Sequence, residues 1–253
     1  MERNWKKIEE FSWREHAFCY YYSRMNSREQ KVYEKLADGL LHHASSIWIK
    51  RVTPELVGEV YRKLVLDLPI LFYQKELKIV WYPLFGRIKV IPQYRFGRQK
   101  AEKLIEEVWN RVLPLLKRCE GKTALEQEQI IHDWFCSNVV YDNGYDLMLG
   151  GPSFEMAGPL LYGCAVCSGI SKAAKFLFDL VGIPCLVLEG EILMNRDPDP
   201  AKNLHAWNMV EICMPGSEET QRYHLDITFD MTLHSKRYFN MTGPQILAER
   251  MIS

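Results

Sequence analysis

The chain has 253 residues, of which 47% are hydrophobic and 12% aromatic, a composition typical of a folded protein with a sizeable core. Its 32 Lys and Arg residues balance its 32 Asp and Glu residues. With no net charge there is no overall field to attract nucleic acid or an anionic membrane surface, so neither partner is expected.

The first stretch of the chain, MERNWKKIEEFSWREHAF, is charged throughout and lacks the apolar centre of a secretory signal. No run of apolar residues reaches the length needed to span a bilayer. The seven cysteines are an odd number at scattered positions, which favours free thiols over a disulfide framework. We therefore expect a cytoplasmic protein in which a thiol is free to react.

Residues 1–120 predict an N-terminal appendage of mixed helices and strands. Ser27 and Gln30 have capping-box spacing ahead of a helical pattern that runs to about His43. Thr53, followed by Pro, predicts the start of a second helix. Alternating β-branched and aromatic residues over 70–96, broken by Pro and Gly, predict a small antiparallel sheet, and a long helix follows to residue 119.

Residues 121–253 predict a second domain. Thr123 has capping-box spacing at the start of a helix that ends near Asn138, and a loop rich in Gly and Pro follows. A helical pattern then runs from Cys167 to Leu180. Three strand-like runs come next and predict an antiparallel meander: 185–193, 205–213 and 222–230. The fold class is therefore α+β, with a helix packed on an antiparallel sheet.

Cys164 and Cys167, in GCAVCSGISKAAKF, admit several interpretations. They could be small buried apolar residues, as many cytosolic cysteines are. They could form half of a zinc site completed by His205 and His224, although no second C-x-x-C exists. A thioredoxin-type redox pair would need a strand directly before the motif, and SFEMAGPLLYG has no strand pattern.

The fourth interpretation is that Cys167 is a nucleophile. It lies at the expected first turn of its helix, after a Gly-containing loop and before Ser168 and Gly169. There its sulfur would lie near unpaired backbone N–H groups and the positive end of the helix dipole, which favours the thiolate. The same N–H groups could hold the oxyanion of a tetrahedral intermediate.

A nucleophilic thiol needs a base and a group that orients the base. His205 starts one predicted strand, and Asp226 lies within the next. Because side chains alternate along a strand, Asn208 should point away from the face of His205. By the same alternation, Asp226 could meet His205 across the ladder. It shares its face of the predicted strand with three other polar residues: His224, Thr228 and Asp230.

The blocks AVCSGISKAAKFLFDLVGIPCLVLEGE, HAWNMVEI and YHLDITFD together resemble the transglutaminase-like superfamily, over about Thr123 to Asp230. That resemblance implies a papain-like core in which Cys167 is the nucleophile, His205 the base and Asp226 the orienting residue. It implies no cofactor and no catalytic metal. Two further residues are candidates for supporting roles, as a wall of the site and at the oxyanion position: Trp207 and Tyr141.

The resemblance implies acyl transfer through a thioester on Cys167, with a protein or peptide as substrate. Water as acceptor would make the protein a protease or amidase, which we favour slightly, and an amine would make it a transglutaminase. The alternative, from another class, is a silent binding or scaffold protein whose interaction surface is the aromatic hairpin FYQKELKIVWYPLF, 72–85. The additional Cys164 predicts an oxidation that links it to Cys167 and silences the site.

Overall fold

The structure is a computed structural model that describes residues 11–143, 151–194, 196–217 and 219–252. The described residues up to Trp109 form one compact unit and those from Asn110 onward form a second. The division falls inside one long helix, Arg98–Cys119 (α5). The domain boundary predicted after residue 120 stays a prediction.

The first unit is built from four helices and a three-stranded antiparallel sheet in the order β1-β3-β2. Its elements before α5 are α1 (Trp13–His16), α2 (Tyr20–Ser23), α3 (Ser27–Leu41), β1 (Ile47–Lys50), α4 (Pro54–Asp67), β2 (Gln74–Tyr82) and β3 (Arg87–Tyr94). Helix α3 packs on α4 and β1 and buries apolar side chains that include Leu36 and Leu40. The predicted antiparallel strands are present in β2 and β3.

Local capping explains where these helices begin. The capping box of α3 is formed by Asn26 and Glu29, and not by Ser27 and Gln30 as predicted. The spacing is the same, but the residue that stands before the first helical turn is Asn26, whose carboxamide accepts the N–H groups of residues 28 and 29. Thr53 caps α4 as predicted.

The second unit contains a two-stranded parallel pair and a four-stranded antiparallel sheet in the order β8-β7-β6-β9. Its elements are α6 (Ala124–Asn138), β4 (Val140–Tyr141), β5 (Cys164–Ala165), α7 (Cys167–Val181), β6 (Cys185–Ile192), β7 (Leu204–Cys213), β8 (Thr220–Leu225), α8 (Ile227–Leu233), α9 (Gly243–Leu247) and β9 (Arg250–Ile252). Helix α7 packs against β6 and β7, and α6 packs against α7 and α8. The predicted α+β fold with a helix on an antiparallel sheet is confirmed.

One predicted strand ends earlier than expected. Strand β8 stops at Leu225, and Asp226 is the N-cap of α8, where its carboxylate accepts the N–H of Phe229. The proposed alternation along 222–230 is therefore wrong beyond Leu225. An Asp three residues ahead of a free helical N–H favours a helix start over a continued strand, because the side chain satisfies a donor that the helix leaves unpaired.

None of the helices in the described ranges is both long and apolar enough to cross a bilayer.

Candidate active site

Helix α7 starts at Cys167 because the chain before it is held by several backbone bonds. Strand β5 pairs with β4, which places Tyr141 opposite Ala165, and the N–H of Val166 donates to the carbonyl oxygen of Ser153 at 3.1 Å. A Cβ on Gly169 would overlap that same carbonyl, so this first turn of α7 needs glycine. The sulfur-bearing turn is therefore packed directly on the preceding loop.

His205 lies at the start of β7, beside Cys167. Its Nε2 is 2.7 Å from Oδ2 of Asp226, and the Cys167 sulfur is close enough to the ring to raise the pKa of His205. Because Nε2 faces the carboxylate, the other ring nitrogen, Nδ1, is the one left for the sulfur. The chain thus brings together all three residues that the sequence singled out, from α7, β7 and the start of α8.

Charge in this cluster is set by two opposing effects. Burial alone would lower the pKa of His205, but the carboxylate of Asp226 and the Cys167 sulfur outweigh it and raise the pKa to about 9. Burial likewise opposes ionisation of Asp226, yet the imidazolium and Arg250 hold the pKa of that carboxyl below its usual value. At neutral pH the pair is therefore an imidazolium and a carboxylate, next to the Cys167 sulfur.

Asp226 is fixed by contacts on both of its oxygens. Oδ1 accepts the N–H of Phe229 at 3.1 Å, and Oδ2 accepts, besides His205, a guanidinium N–H of Arg250 at 3.2 Å. Arg250 is 1% exposed and lies over the ring of Phe229 at 4.2 Å. A buried cation on β9 thus compensates the buried carboxylate and limits its movement. A Cβ on Gly190 would overlap the backbone of β9, so glycine allows β9 to approach β6 this closely.

Aromatic rings enclose the imidazole of His205. Trp207 lies nearly parallel to it, with ring centroids 6.0 Å apart at 14°, and Phe229 meets it edge-on at 5.1 Å. The indole N–H of Trp207 donates to Nδ1 of His224 at 3.1 Å, and burial lowers the pKa of His224 to about 4, so this second histidine is a neutral acceptor. Trp207 is therefore held in place as a wall beside His205.

Tyr141 lies on the other side of the sulfur. Its hydroxyl is close enough to the sulfur and the backbone N–H of Cys167 for both groups to affect its pKa. Burial and the neighbouring cysteine raise the pKa of Tyr141 to about 12, so the phenol keeps its proton at neutral pH and can donate. The hydroxyl thus lies beside the N–H at the start of α7, where an oxyanion could be bound.

A second buried histidine–carboxylate pair holds α8 against α6. Nε2 of His132 is 3.2 Å from Oδ2 of Asp230, and the pKa of His132 is raised to about 10 because Asp230 and neighbouring groups outweigh the effect of burial. Asp230 lies one turn after Asp226 on the same short helix. This pair therefore fixes the element that presents Asp226, while Asp230 itself faces His132.

The remaining candidates lie elsewhere. Asn208 points away from His205, as predicted, and donates to the carbonyl oxygen of Ser171 at 2.9 Å. Cys164 lies on β5, and none of the seven cysteines, all of which lie in the described ranges, is in a disulfide. Within the described ranges, no group of three or more His, Cys, Asp or Glu side chains has the arrangement of a metal site.

The sequence did not point to Arg250 or Phe229. Arg250 lies in a run of four residues, 250–253, that is too short to predict a strand, and nothing in its spacing relates it to Asp226. Phe229 was assigned to a strand because the alternating pattern was taken to continue over 222–230, whereas it lies in helix α8. A capping signal at Asp226 could have identified the helix; no sequence signal could have identified Arg250.

No protein-family model and no curated protein matches the chain. Among solved structures it is similar to a transglutaminase ("Crystal structure of a TGase"), with 12% identity, 61% of this chain and 44% of the other covered, and a TM-score of 0.38. It is also similar to "a Putative Cysteine Protease from Cytophaga hutchinsonii", with 16% identity, 60% and 61% covered, and a TM-score of 0.32. This chain therefore matches about half of each structure's length.

Both neighbours are of the kind that the sequence resemblance named. With TM-scores below 0.5, neither likeness carries an argument about this chain. What the site does has to be argued from its own geometry.

Proposed function

We propose that the protein is a cysteine-dependent acyl-transfer enzyme that acts on amide bonds of a protein or peptide through a thioester on Cys167. The observation that carries the proposal is the arrangement of one imidazole between a thiol and a carboxylate. His205 has Asp226 on Nε2 and Cys167 beside its other nitrogen. That arrangement supplies a nucleophile, a proton carrier and an orienting group in one cluster.

In the first half of the reaction, the proton of the thiol resides on His205, because the Asp226 carboxylate stabilises the imidazolium. The Cys167 sulfur attacks the carbonyl carbon, and negative charge develops on the carbonyl oxygen. The donors proposed for that oxygen are the N–H of Cys167 and the hydroxyl of Tyr141, which lies beside it. His205 then gives its proton to the leaving nitrogen, the C–N bond breaks, and a thioester remains.

In the second half, His205 is neutral and can accept a proton. It takes one from water or from a primary amine, which attacks the thioester carbonyl. The C–S bond breaks, the proton returns to the Cys167–His205 pair, and the product is a carboxylic acid or a new amide. Asp226 keeps its charge throughout and holds the ring in one orientation.

The test is an acyl-acceptor assay on a digest of an unstructured protein, with and without a fluorescent primary amine. We expect time-dependent deamidation or cleavage without the amine, or fluorescence coupled to glutamine-containing peptides with it. Cys167→Ala should abolish both. Cys213→Ala is the matched control, since Cys213 is an exposed thiol at the end of β7, and it should leave the rates unchanged.

If the digest remains unmodified while Cys167 and His205 form a reactive thiol pair, the substrate class is wrong. If that thiol pair does not form in folded, reduced protein, the acyl-transfer proposal fails and the silent binding protein takes its place.

A further inference from the structure

The exposed surface of the first unit has a local cluster of positive charge, although the chain as a whole has no net charge. A cleft of about 670 Å³ lies between α3 and the end of β1 and is lined by five cationic side chains, here called the basic cleft: Arg28, Lys31, Lys35, Lys50 and Arg51. Among the residues that the structure describes, no Asp or Glu side chain lines it. All five residues are exposed.

These charges are not neutralised locally. None of the five forms an ion pair with a carboxylate in the part of the chain that the structure describes. Arg28, Lys31 and Lys35 lie three and four residues apart on α3, a spacing at which like charges destabilise a helix. A cluster of like charges that has no ion-pair partner among the described residues is suited to an anionic ligand from outside the chain.

An apolar feature adjoins the basic cleft. The end of β2 and the turn that follows it carry three exposed large side chains, here called the hairpin tip: Trp81, Leu84 and Phe85, which are 53%, 94% and 73% exposed. The N–H of Arg51 donates to the carbonyl oxygen of Gly86 in this turn at 2.9 Å, and Lys50 pairs with Arg87 in the sheet. The cationic and apolar groups are therefore joined by direct backbone contacts.

The outer face of the sheet extends the same chemistry. Arg87 and Lys89 lie on one face of β3, with Trp48 of β1 and Tyr82 of β2 beside them in register. The Nζ of Lys89 lies over the Trp48 ring at 5.7 Å. Aromatic rings and cations in alternation are the composition of a surface that lies at the boundary between water and lipid.

We propose that the first unit binds the surface of a membrane rich in anionic phospholipid. The basic cleft takes the phosphate-bearing headgroups, and the hairpin tip enters the acyl boundary. A soluble phosphate ester could satisfy the cleft but would leave Leu84 and Phe85 in water, whereas a lipid surface buries them as well. From the net charge of zero, no membrane partner was expected. For this surface we propose the opposite, because five cations are grouped beside an apolar turn.

The experiment is co-sedimentation of the full chain with vesicles of phosphatidylcholine alone and with about one third phosphatidylserine, at low and at high salt. We expect binding to the anionic vesicles and loss of most of it at high salt, where charge attraction is screened. Lys31→Glu with Lys35→Glu, and separately Leu84→Ser with Phe85→Ser, should each lower the partition constant at least tenfold. Thermal unfolding of each variant establishes that it is folded, as expected for exposed positions.

Leu247→Ser is the matched control, because Leu247 is 51% exposed on α9, away from the cleft and the tip in sequence and in element. It should bind as the parent does. The proposal is overturned if anionic vesicles bind no better than zwitterionic ones, or if the control loses as much binding as the tip variant. It is also overturned if glycerophosphoserine or a single-stranded oligonucleotide binds the cleft while vesicles do not.

Discussion

Replacing Asp226 by Asn should change the charge of His205 while keeping the shape of the site. The pKa of a histidine side chain is ordinarily 6.5, and that of His205 in this structure is about 9, a difference of 2.5. At 1.36 kcal/mol per unit, that is about 3 kcal/mol of preference for the imidazolium. Burial acts in the opposite direction, so removal of the carboxylate should take the pKa of His205 below 6.5.

The two proteins should differ clearly at pH 7. His205 should be about 99% protonated in the parent and less than roughly a quarter protonated in Asp226→Asn. The assay is an NMR titration of the His205 ring protons, assigned by comparison with His205→Gln. Turnover at pH 7 should fall by a factor on the order of 10³ to 10⁴, because the ring loses its orientation and its charge.

Asp230→Asn is the matched control. It removes a carboxylate from the same helix, but that carboxylate faces His132, so the titration of His132 should move and that of His205 should not. The reasoning is refuted if His205 titrates at the same pH in Asp226→Asn as in the parent, or if the Asp230 variant shifts it equally.

Three further predictions follow from the same contacts. Arg250→Met should lower the free energy of unfolding in urea by about 3–5 kcal/mol, because it leaves the Asp226 carboxylate buried without its cation; a change under about 1 kcal/mol would contradict this. Tyr141→Phe should lower turnover on the order of 10²-fold while the protein stays folded, and unchanged turnover would remove the hydroxyl from the oxyanion position. Because the folded protein keeps protons on His132 and His205 that the unfolded chain releases above about pH 6.5, the urea midpoint should fall as the pH rises from 7 to 10, and a rising midpoint would reverse the assigned charges.

The predicted oxidation of Cys164 has its own test. Mild oxidant should block alkylation of Cys167 in the parent but not in Cys164→Ala, because only the parent can form the C-x-x-C disulfide. Equal protection of both proteins from alkylation would rule out that link.

Much of the second unit could be predicted because its signals are local. The start of α7 follows from a change of pattern at Cys167 together with a glycine-rich loop, and the start of α6 follows from the capping box at Thr123. The meeting of His205 and Asp226 was predicted from the order of the strands. The reason given for it was wrong, because Asp226 reaches His205 from a helix N-cap and not from a strand face.

Other features depend on contacts between distant parts of the chain. Arg250 lies 24 residues from Asp226 and is buried only because β9 returns to pair with β6. The pairing of His132 with Asp230 spans 98 residues and follows from the packing of α6 on α8. Neither contact produces a periodic pattern in the sequence. Which polar groups become neighbours there depends on the tertiary packing alone.

The most direct test of the central claim is the rate at which each of the seven cysteines reacts with iodoacetamide at pH 6, mapped by mass spectrometry in the parent and in His205→Ala. An ordinary thiol with a pKa of about 8.5 is only about 0.3% thiolate at that pH, so most cysteines should react slowly. We predict that Cys167 reacts much faster than the other six and that His205→Ala removes the difference. Equal rates at all exposed cysteines in folded, reduced parent protein would contradict the thiol–imidazole pair.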